Sequence, residues 1–186
     1  MKALVGLLYG SLVFEPASRP AVGDDVCTFD AEVATAAGLD ADGLVQEFQT
    51  RSRRGEVRGL CVRTDGGEGK LVRCSSGSVI DVAVDLRPSS PTYRLWMSVM
   101  LDDLDHRAVW LPAGLAHGYQ ALTETADVCW RVNRVHRPEC ETTIRYDDAE
   151  LAIPWPLPVI ERRRDDQALA LAVVEPMLTE WFGAIG

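Results

Sequence analysis

The middle of the chain, from about residue 57 to residue 132, is a series of short apolar runs separated by turn residues. The runs are rich in Val and Leu, and Gly, Ser, Pro or Asp stand between them. One run, SVIDVAVDL (78–86), alternates strictly, which predicts a half-buried antiparallel strand. Short strands repeated at this spacing are typical of a β-sandwich or barrel. We therefore predict a mainly β barrel.

Helices are predicted only towards the two ends of the chain. AEVATAAGL (31–39) is a short helical pattern that ends at a glycine. DDQALALAVVEPMLTEWF (165–182) begins with acidic residues, which suit a helix N-terminus, and carries an apolar face. Proline lacks an amide hydrogen and blocks helix continuation, so we expect Pro176 to kink or divide this helix.

The opening stretch MKALVGLLYGSLVF is apolar and alternates loosely. It has no A-x-A cleavage site, so it is interpreted as an N-terminal strand rather than a signal peptide. We predict a single domain over residues 1–186. Within it we expect an N-terminal strand segment at 1–20 and a C-terminal helical segment at about 164–186.

Charge and cysteine usage restrict the possible partners. The 186 residues carry a formal net charge of -9, which argues against nucleic acid or an acidic membrane surface as a partner. No apolar run approaches the ~18 residues that a membrane span needs. The five cysteines show no metal-ligand spacing and are interpreted as reduced thiols of a cytoplasmic protein.

Histidine is scarce, which bears on metal binding. The three histidines are His106, His117 and His136. PAGLAH (112–117) resembles the second half of the pattern that places a metal-binding His in cupin barrels, but the first half, HxH, is absent. We therefore predict no metal and no cofactor. His117 is either a buried, hydrogen-bonded core residue or a ligand contact.

Longer motifs carry a specific resemblance. They are KLVRCSSGSVIDVAVDLRPSSPTY (70–93), VWLPAGLAHGYQALTETADV (109–128), IPWPLP (153–158), and Gln46, Ser52, Gly55 and Arg58-Gly59-Leu60. From about residue 22 to 170 the chain resembles the dTDP-4-dehydrorhamnose 3,5-epimerase family. The resemblance implies a double-stranded β-helix (cupin or jelly-roll) barrel, usually a homodimer. It also implies metal-free action on a small molecule, a nucleotide-linked 4-keto sugar.

The chemistry implied by the resemblance is proton transfer next to a ketone. A His oriented by an Asp removes a proton, Lys and Arg stabilise the enolate, and a Tyr returns a proton from the opposite face. The corresponding catalytic candidates here are Lys70, His117, Cys61 and Asp165, with Asp166 as a rival to Asp165. The substrate-binding candidates are Arg58, Gln46, Trp130, His136, Phe29 and Tyr119.

The chain departs from the family pattern at four places. RGLH becomes RGLC, so Cys61 replaces the base, and Trp130 and His136 stand where the family has Tyr. The Asp-x-Arg-Gly turn becomes DDVCTF (24–29), without its Arg. We therefore expect altered chemistry, as an isomerase, epimerase or cyclase of specialised metabolism acting on the sugar nucleotide or another pathway intermediate. The alternatives are an unaltered 3- or 3,5-epimerase and an inactive sugar-nucleotide-binding or auxiliary protein.

Overall fold

A computed structural model describes residues 1–18, 20–160 and 167–183, and most of the regular structure in these residues is β. The strands are β1 (Lys2–Val5), β2 (Leu12–Glu15), β3 (Gln46–Arg53), β4 (Val57–Arg63), β5 (Lys70–Ser76), β6 (Ser78–Asp85), β7 (Trp96–Asp102), β8 (Ala108–Leu111), β9 (Leu115–Ala121), β10 (Thr125–Val132) and β11 (Glu141–Thr143). The strands between residues 57 and 132 follow the short apolar runs of the sequence, because residues of this type pack well on a pleated surface, whereas β3 and β11 are mostly polar.

The strands form two antiparallel sheets. Sheet one has the order β1-β2-β8-β5-β10-β3, and sheet two has the order β11-β4-β9-β6-β7. One buried apolar cluster takes Val72 and Val128 from sheet one and Val79, Leu101 and Tyr119 from sheet two. The two sheets therefore enclose a shared core, and the prediction of a mainly β barrel is confirmed.

The helices are short and lie towards the ends of the chain. They are α1 (Ala31–Ala36), α2 (Leu171–Val174) and α3 (Leu178–Phe182). Pro176 lies in a 3-10 turn (Glu175–Met177) between α2 and α3, so the prediction that it divides the C-terminal helix is confirmed. None of the helices in the described part of the chain is long and apolar enough to cross a membrane.

Strand β6 is buried on both faces, so the prediction of a half-buried strand is wrong. Val79 and Ala83 point into the core between the sheets. Val82 and Val84 point the other way and belong to a second buried cluster. That cluster also contains Leu171, Val174, Leu178 and Phe182 from α2 and α3. The helices pack on a sheet face that would otherwise contact water. The alternating sequence pattern of β6 does not indicate that helices from elsewhere in the chain bury this second face.

The opening stretch forms a hairpin and not the one strand that was expected. β1 and β2 pair in antiparallel register, with Lys2 opposite Glu15. The amide of Ser11 donates to the carbonyl of Leu8, and Gly10 has a φ of 79°, a left-handed value that glycine adopts without strain. β1 is consequently an edge strand of sheet one.

A buried carboxylate ties this hairpin to the loop after β6. Asp85 accepts hydrogen bonds from the Arg87 guanidinium (2.9 and 2.7 Å) and from the hydroxyls of Ser90 and Thr92 (2.6 Å each). Arg87 Nη2 also donates to the Tyr9 carbonyl at 2.7 Å. Burial alone would raise the pKa of Asp85, but these hydrogen bonds outweigh it and hold the pKa below its ordinary value.

Asp85→Asn should lower the free energy of unfolding at pH 7 by about 3 kcal/mol, because it leaves the buried Arg87 guanidinium without its counter-charge. The lowered pKa means that ionised Asp85 contributes stability above the ordinary carboxyl pKa. That contribution is lost as the pH falls through the folded-state pKa. The difference between wild type and variant, measured by urea unfolding, should therefore shrink in acid.

The matched control is Asp147→Asn, which removes a carboxylate from an exposed ion pair with Arg145. Such surface pairs contribute about 0–1 kcal/mol. Equal destabilisation by the two substitutions would contradict a structural role for the Asp85 network.

Candidate active site

A cavity of about 230 Å³ lies between the two sheets. It is lined by seven of the residues that the sequence predicted to be functional: Arg58, Cys61, Lys70, His117, Tyr119, Trp130 and His136. These side chains come from both sheets and from the segment after β10. The fold thus brings together candidates that are up to 78 positions apart in the sequence, between residues 58 and 136.

An irregularity in β4 brings two of these side chains to the same cavity. Arg58 and Cys61 are an odd number of residues apart, so a regular strand would direct them to opposite faces. The pairing of β4 with β9 shifts register between these two residues. Gly59 lies at the shift with a φ of 102°, and a Cβ there would be 2.3 Å from the His117 carbonyl oxygen. Only glycine fits this position.

His117 is held by a buried carboxylate. Its Nε2 lies 2.7 Å from Oδ2 of Asp81, and both side chains are nearly inaccessible, with 10% and 2% of their surfaces exposed. His117 is on β9 and Asp81 is on the adjacent strand β6, with both on the inner face. A carboxylate bonded to one ring nitrogen fixes the tautomer and orientation of a histidine and stabilises its protonated form. The pair has the geometry of a general base with its orienting group.

The cations of the cavity are each paired with a carboxylate. Lys70 Nζ lies 3.2 Å from Glu68 Oε1, and Arg58 Nε lies 3.2 Å from Glu56 Oε1. Lys70 is on β5 of sheet one, whereas His117 is on β9 of sheet two. A hydrogen-bond donor and a proton acceptor therefore stand on facing walls.

Aromatic rings form another part of the lining. Phe48 and Trp130 stack with ring centroids 5.6 Å apart and an interplanar angle of 23°. The His136 ring meets Phe48 edge-on at 5.5 Å, and its Nδ1 lies 3.7 Å from Glu141 Oε1. Such a surface offers apolar contact and ring stacking to a planar ligand.

Two predicted residues lie outside the cavity lining, and a third falls outside the described part of the chain. Gln46 is not among the lining residues; its Oε1 accepts a hydrogen bond from the His136 amide at 2.7 Å, so it holds the backbone beside the cavity. Phe29 packs with the apolar cluster that contains Leu71, below the Arg131 guanidinium. Asp165, and its rival at position 166, lie outside the described residues.

No cluster of three or more His, Cys, Asp or Glu side chains within residues 1–18, 20–160 and 167–183 could hold a metal ion. His106 lies in the turn between β7 and β8, away from the cavity lining. Among the lining residues, the histidine and lysine side chains can transfer protons and donate hydrogen bonds.

Sequence reasoning missed two buried carboxylates, Asp81 and Glu68. Asp81 interrupts the inner face of β6 between Val79 and Ala83, and a buried carboxylate requires a partner. That interruption was a usable signal. Glu68 follows two glycines in what reads as a turn, and nothing in its context predicts burial. The remaining unpredicted lining residues are Phe48, Thr50, Gly59 and Glu141.

Comparisons with known proteins agree with this arrangement. The sequence model of dTDP-4-dehydrorhamnose 3,5-epimerase matches residues 8–172. The Pseudomonas aeruginosa dTDP-4-dehydrorhamnose 3,5-epimerase is 38% identical over 178 residues, which cover 91% of this chain and 97% of that protein. The chain belongs to the dTDP-4-dehydrorhamnose 3,5-epimerase family.

Solved structures of family members superpose closely. The Legionella pneumophila dTDP-6-deoxy-D-glucose-3,5-epimerase, in complex with dTDP-4-keto-L-rhamnose, has a TM-score of 0.87 at 32% identity and covers 95% of this chain and 96% of its own. A 4-keto-6-deoxy sugar epimerase from the novobiocin biosynthetic gene cluster of Streptomyces spheroides has a TM-score of 0.87 at 34% identity, with coverages of 95% and 90%. The prediction of a cupin-type epimerase barrel is confirmed.

Proposed function

We propose that the chain binds a dTDP-linked 4-keto-6-deoxy sugar and epimerises it next to the ketone. The observation that carries the proposal is the buried His117–Asp81 pair, whose His117 lines the same cavity as Lys70 on the facing sheet. The relatives named above act on or bind sugars of this class. This is the unaltered-epimerase alternative of the sequence analysis, and the family membership supports it better than the expectation of altered chemistry.

In the proposed reaction, His117 is the base. Its Nε2–H donates to the Asp81 carboxylate, which leaves Nδ1 to accept a proton from the sugar carbon beside the ketone. The C–H electron pair moves to the ketone oxygen and gives an enolate. Asp81 stabilises the resulting imidazolium, and a water molecule protonates the carbon on its opposite face, which inverts the centre. The imidazolium then gives its proton to the hydroxide left by that water.

Lys70 stabilises the enolate in this scheme. Its ammonium is almost buried, with 11% of the side chain exposed, and it stands on the wall opposite His117. A donor fixed where negative charge develops stabilises the transition state more than the neutral ketone. Arg58 provides a positive charge for the diphosphate of a nucleoside diphosphate sugar, and the stacked rings of Phe48 and Trp130 provide a surface for its base.

A second candidate is altered isomerase or cyclase chemistry in specialised metabolism. It is favoured by Cys61 and Trp130, which replace the His and Tyr that the resemblance places there. Cys61 is the cross-strand partner of His117, and its Sγ lies 3.9 Å from Thr143 Oγ1. A thiol is mostly protonated near neutral pH, and an indole N–H is no catalytic acid, so these two side chains do not supply the family's proton transfers.

The epimerase proposal predicts deuterium incorporation from D2O at C3, or at C3 and C5, of dTDP-4-keto-6-deoxyglucose. Lys70→Ala and Asp81→Asn should each slow incorporation, followed by NMR, by about 100-fold, because they remove enolate stabilisation and base orientation. Glu150→Gln, which alters an exposed ion pair with Arg94, is the control and should retain the wild-type rate.

Saturable binding without incorporation would sink the epimerase proposal and favour the sugar-nucleotide-binding protein. If incorporation occurred but survived Asp81→Asn undiminished, the His117–Asp81 pair would lose its assigned role.

Cys61→His separates the two candidate reactions. If His117 already serves as the base, the new imidazole should change the incorporation rate by less than about tenfold, because general-base catalysis is already present. If the wild type shows no deuterium incorporation and Cys61→His does, the natural Cys61 indicates that the wild-type protein carries out altered chemistry. Cys61→Ser, which adds no base, is the matched control, and quantitative NMR in D2O is the measurement.

We also propose that the protein acts in the cytoplasm as a homodimer. The five cysteines are free thiols, which suits a reducing compartment. β1 is an edge strand, and around it Val5 and Leu7 are 87% and 80% exposed. An apolar edge of this kind favours pairing with another strand edge, and a second copy offers one.

Leu7→Glu should convert the dimer into a monomer at micromolar concentration, because it buries a charge in the proposed interface. Analytical ultracentrifugation measures the change. Val173→Glu, at an exposed apolar position on α2, is the matched control and should remain dimeric. A monomeric wild type would contradict the proposed assembly.

A further inference from the structure

Lys70 has an exceptional place among the basic side chains of this protein. Lysine occurs at only two positions, 2 and 70, and every other basic residue apart from histidine is arginine. Lys2 is on the surface, with 59% of its side chain exposed, whereas 11% of the Lys70 side chain is exposed. Lys70 is therefore the lone lysine in the barrel interior.

Glu68 contacts this ammonium from a fully enclosed position. Its side chain is 3% exposed, and its Oε1 lies 3.2 Å from Lys70 Nζ. The other oxygen, Oε2, accepts a hydrogen bond from Arg63 Nη1 at 3.0 Å. Arg63 is itself buried, with 4% of its side chain exposed. The carboxylate thus bridges two buried cations.

Arg63 is fixed in turn by a second carboxylate. Its Nε and Nη2 donate to the two oxygens of Asp65, with Nη2 at 2.9 Å. Hydrogen bonds from Arg63 are the main cause that holds the pKa of Asp65 below its ordinary value. Arg134 also contacts Asp65, with Nη2 3.3 Å from Oδ2. The guanidinium orientation is therefore determined before any ligand arrives.

This charged network is a costly way to stabilise a fold. The desolvation free energy of several buried ions often exceeds the electrostatic attraction between them. Proteins in which apolar residues replace such a network are commonly as stable. Glu68 also places a negative charge beside a cavity that, on the proposed function, receives a diphosphate. A role at the site accounts for this placement, whereas a role in stability alone does not.

We propose that Glu68, itself fixed by Arg63, is a positioning residue that holds the Lys70 ammonium in the direction required by the enolate. The proposal rests on the function proposed above. A lysine side chain has four rotatable bonds, and its ammonium has three donors. The ion pair with Glu68, 3.2 Å from Nζ to Oε1, restricts the rotamers of Lys70 and leaves ammonium donors for the cavity. Fixed donors avoid reorganisation during the reaction.

Arg63 connects this arrangement to a second part of the lining. Its Nη1 donates to the Val135 carbonyl at 2.8 Å, next to His136 in the chain. Gln46 Oε1 accepts from the His136 amide at 2.7 Å. Both the carbonyl and the amide of the Val135–His136 peptide are therefore hydrogen-bonded, and Arg63 contacts Glu68 and this peptide together.

Kinetics of a double-mutant cycle test the proposal. Glu68→Gln should lower kcat for deuterium incorporation by about 10–50-fold with KM within about twofold, because binding groups remain while enolate stabilisation is lost. In a Lys70→Ala background the same substitution should cost less than about twofold, because the group it positions is absent. Equal losses in the two backgrounds would overturn the proposal.

Two further variants keep the test clear of folding effects. Glu68→Asp keeps the charge opposite Arg63 but shortens the reach to Lys70, so it should fold and show the same loss of kcat. Wild-type kcat in Glu68→Asp would overturn the proposal. Glu150→Gln is the matched control, because it makes the same chemical change in an exposed ion pair and should leave kcat unchanged.

An NMR measurement tests the positioning without catalysis. In protein labelled with ¹⁵N-lysine, a buried, ion-paired ammonium exchanges slowly with water and should give an Nζ correlation that disappears in Lys70→Ala. Glu68→Gln should abolish the same correlation, and Glu150→Gln should keep it. Retention in Glu68→Gln would overturn the proposal. A wild type without deuterium incorporation would defeat the proposed function alone, since this readout needs no substrate.

Discussion

The arrangement of the cavity depends on the close approach of β4 and β9 at two glycines. A Cβ on Gly59 would be 2.7 Å from the Gly118 Cα, and a Cβ on Gly118 would be 2.5 Å from the Arg58 carbonyl oxygen. The strands can come this near only where both residues lack side chains. The register shift at this contact directs both Arg58 and Cys61 to the cavity. The side chains that β4 presents to the cavity are therefore determined by the close backbone contact at these two glycines.

The same barrel keeps charged groups in an apolar setting without leaving them unpaired. No buried side-chain nitrogen or oxygen within the described residues lacks a hydrogen-bond partner. Asp81 lies within hydrogen-bond distance of His117 in sheet two, and Glu68 forms an ion pair with Lys70 of sheet one. The helices α2 and α3 cover the outer face of β6 and keep water away from the strand that carries Asp81. Orientation is therefore provided by the folded protein, before a ligand binds.

The sequence predicted the elements better than their contacts. Alternation identified β6, and the backbone chemistry of proline predicted the break at Pro176, because both effects are local. The cover of β6 by α2 and α3 joins segments far apart in the chain, and alternation carries no information about it. The resemblance supplied Lys70 and His117. Asp81, the partner of His117, was missed because the register between strands defines the pair, and one sequence does not reveal that register. Glu68, the partner of Lys70, was missed because its place in a glycine-rich turn does not predict burial.

The pairing of β4 with β9 also gives a physical account of how a proton acceptor can remain beside Cys61. Cys61 stands where the resemblance places a His, and its direct cross-strand partner is His117. With a thiol at position 61, the nearest imidazole is that of His117 on the neighbouring strand. This ring contacts Asp81 and faces the sheet that carries Lys70. An imidazole accepts protons near neutral pH more readily than a thiol, which is then mostly protonated. In the proposed proton transfer, the base is therefore His117 on β9 and not the residue at position 61 on β4, and the fold is unchanged.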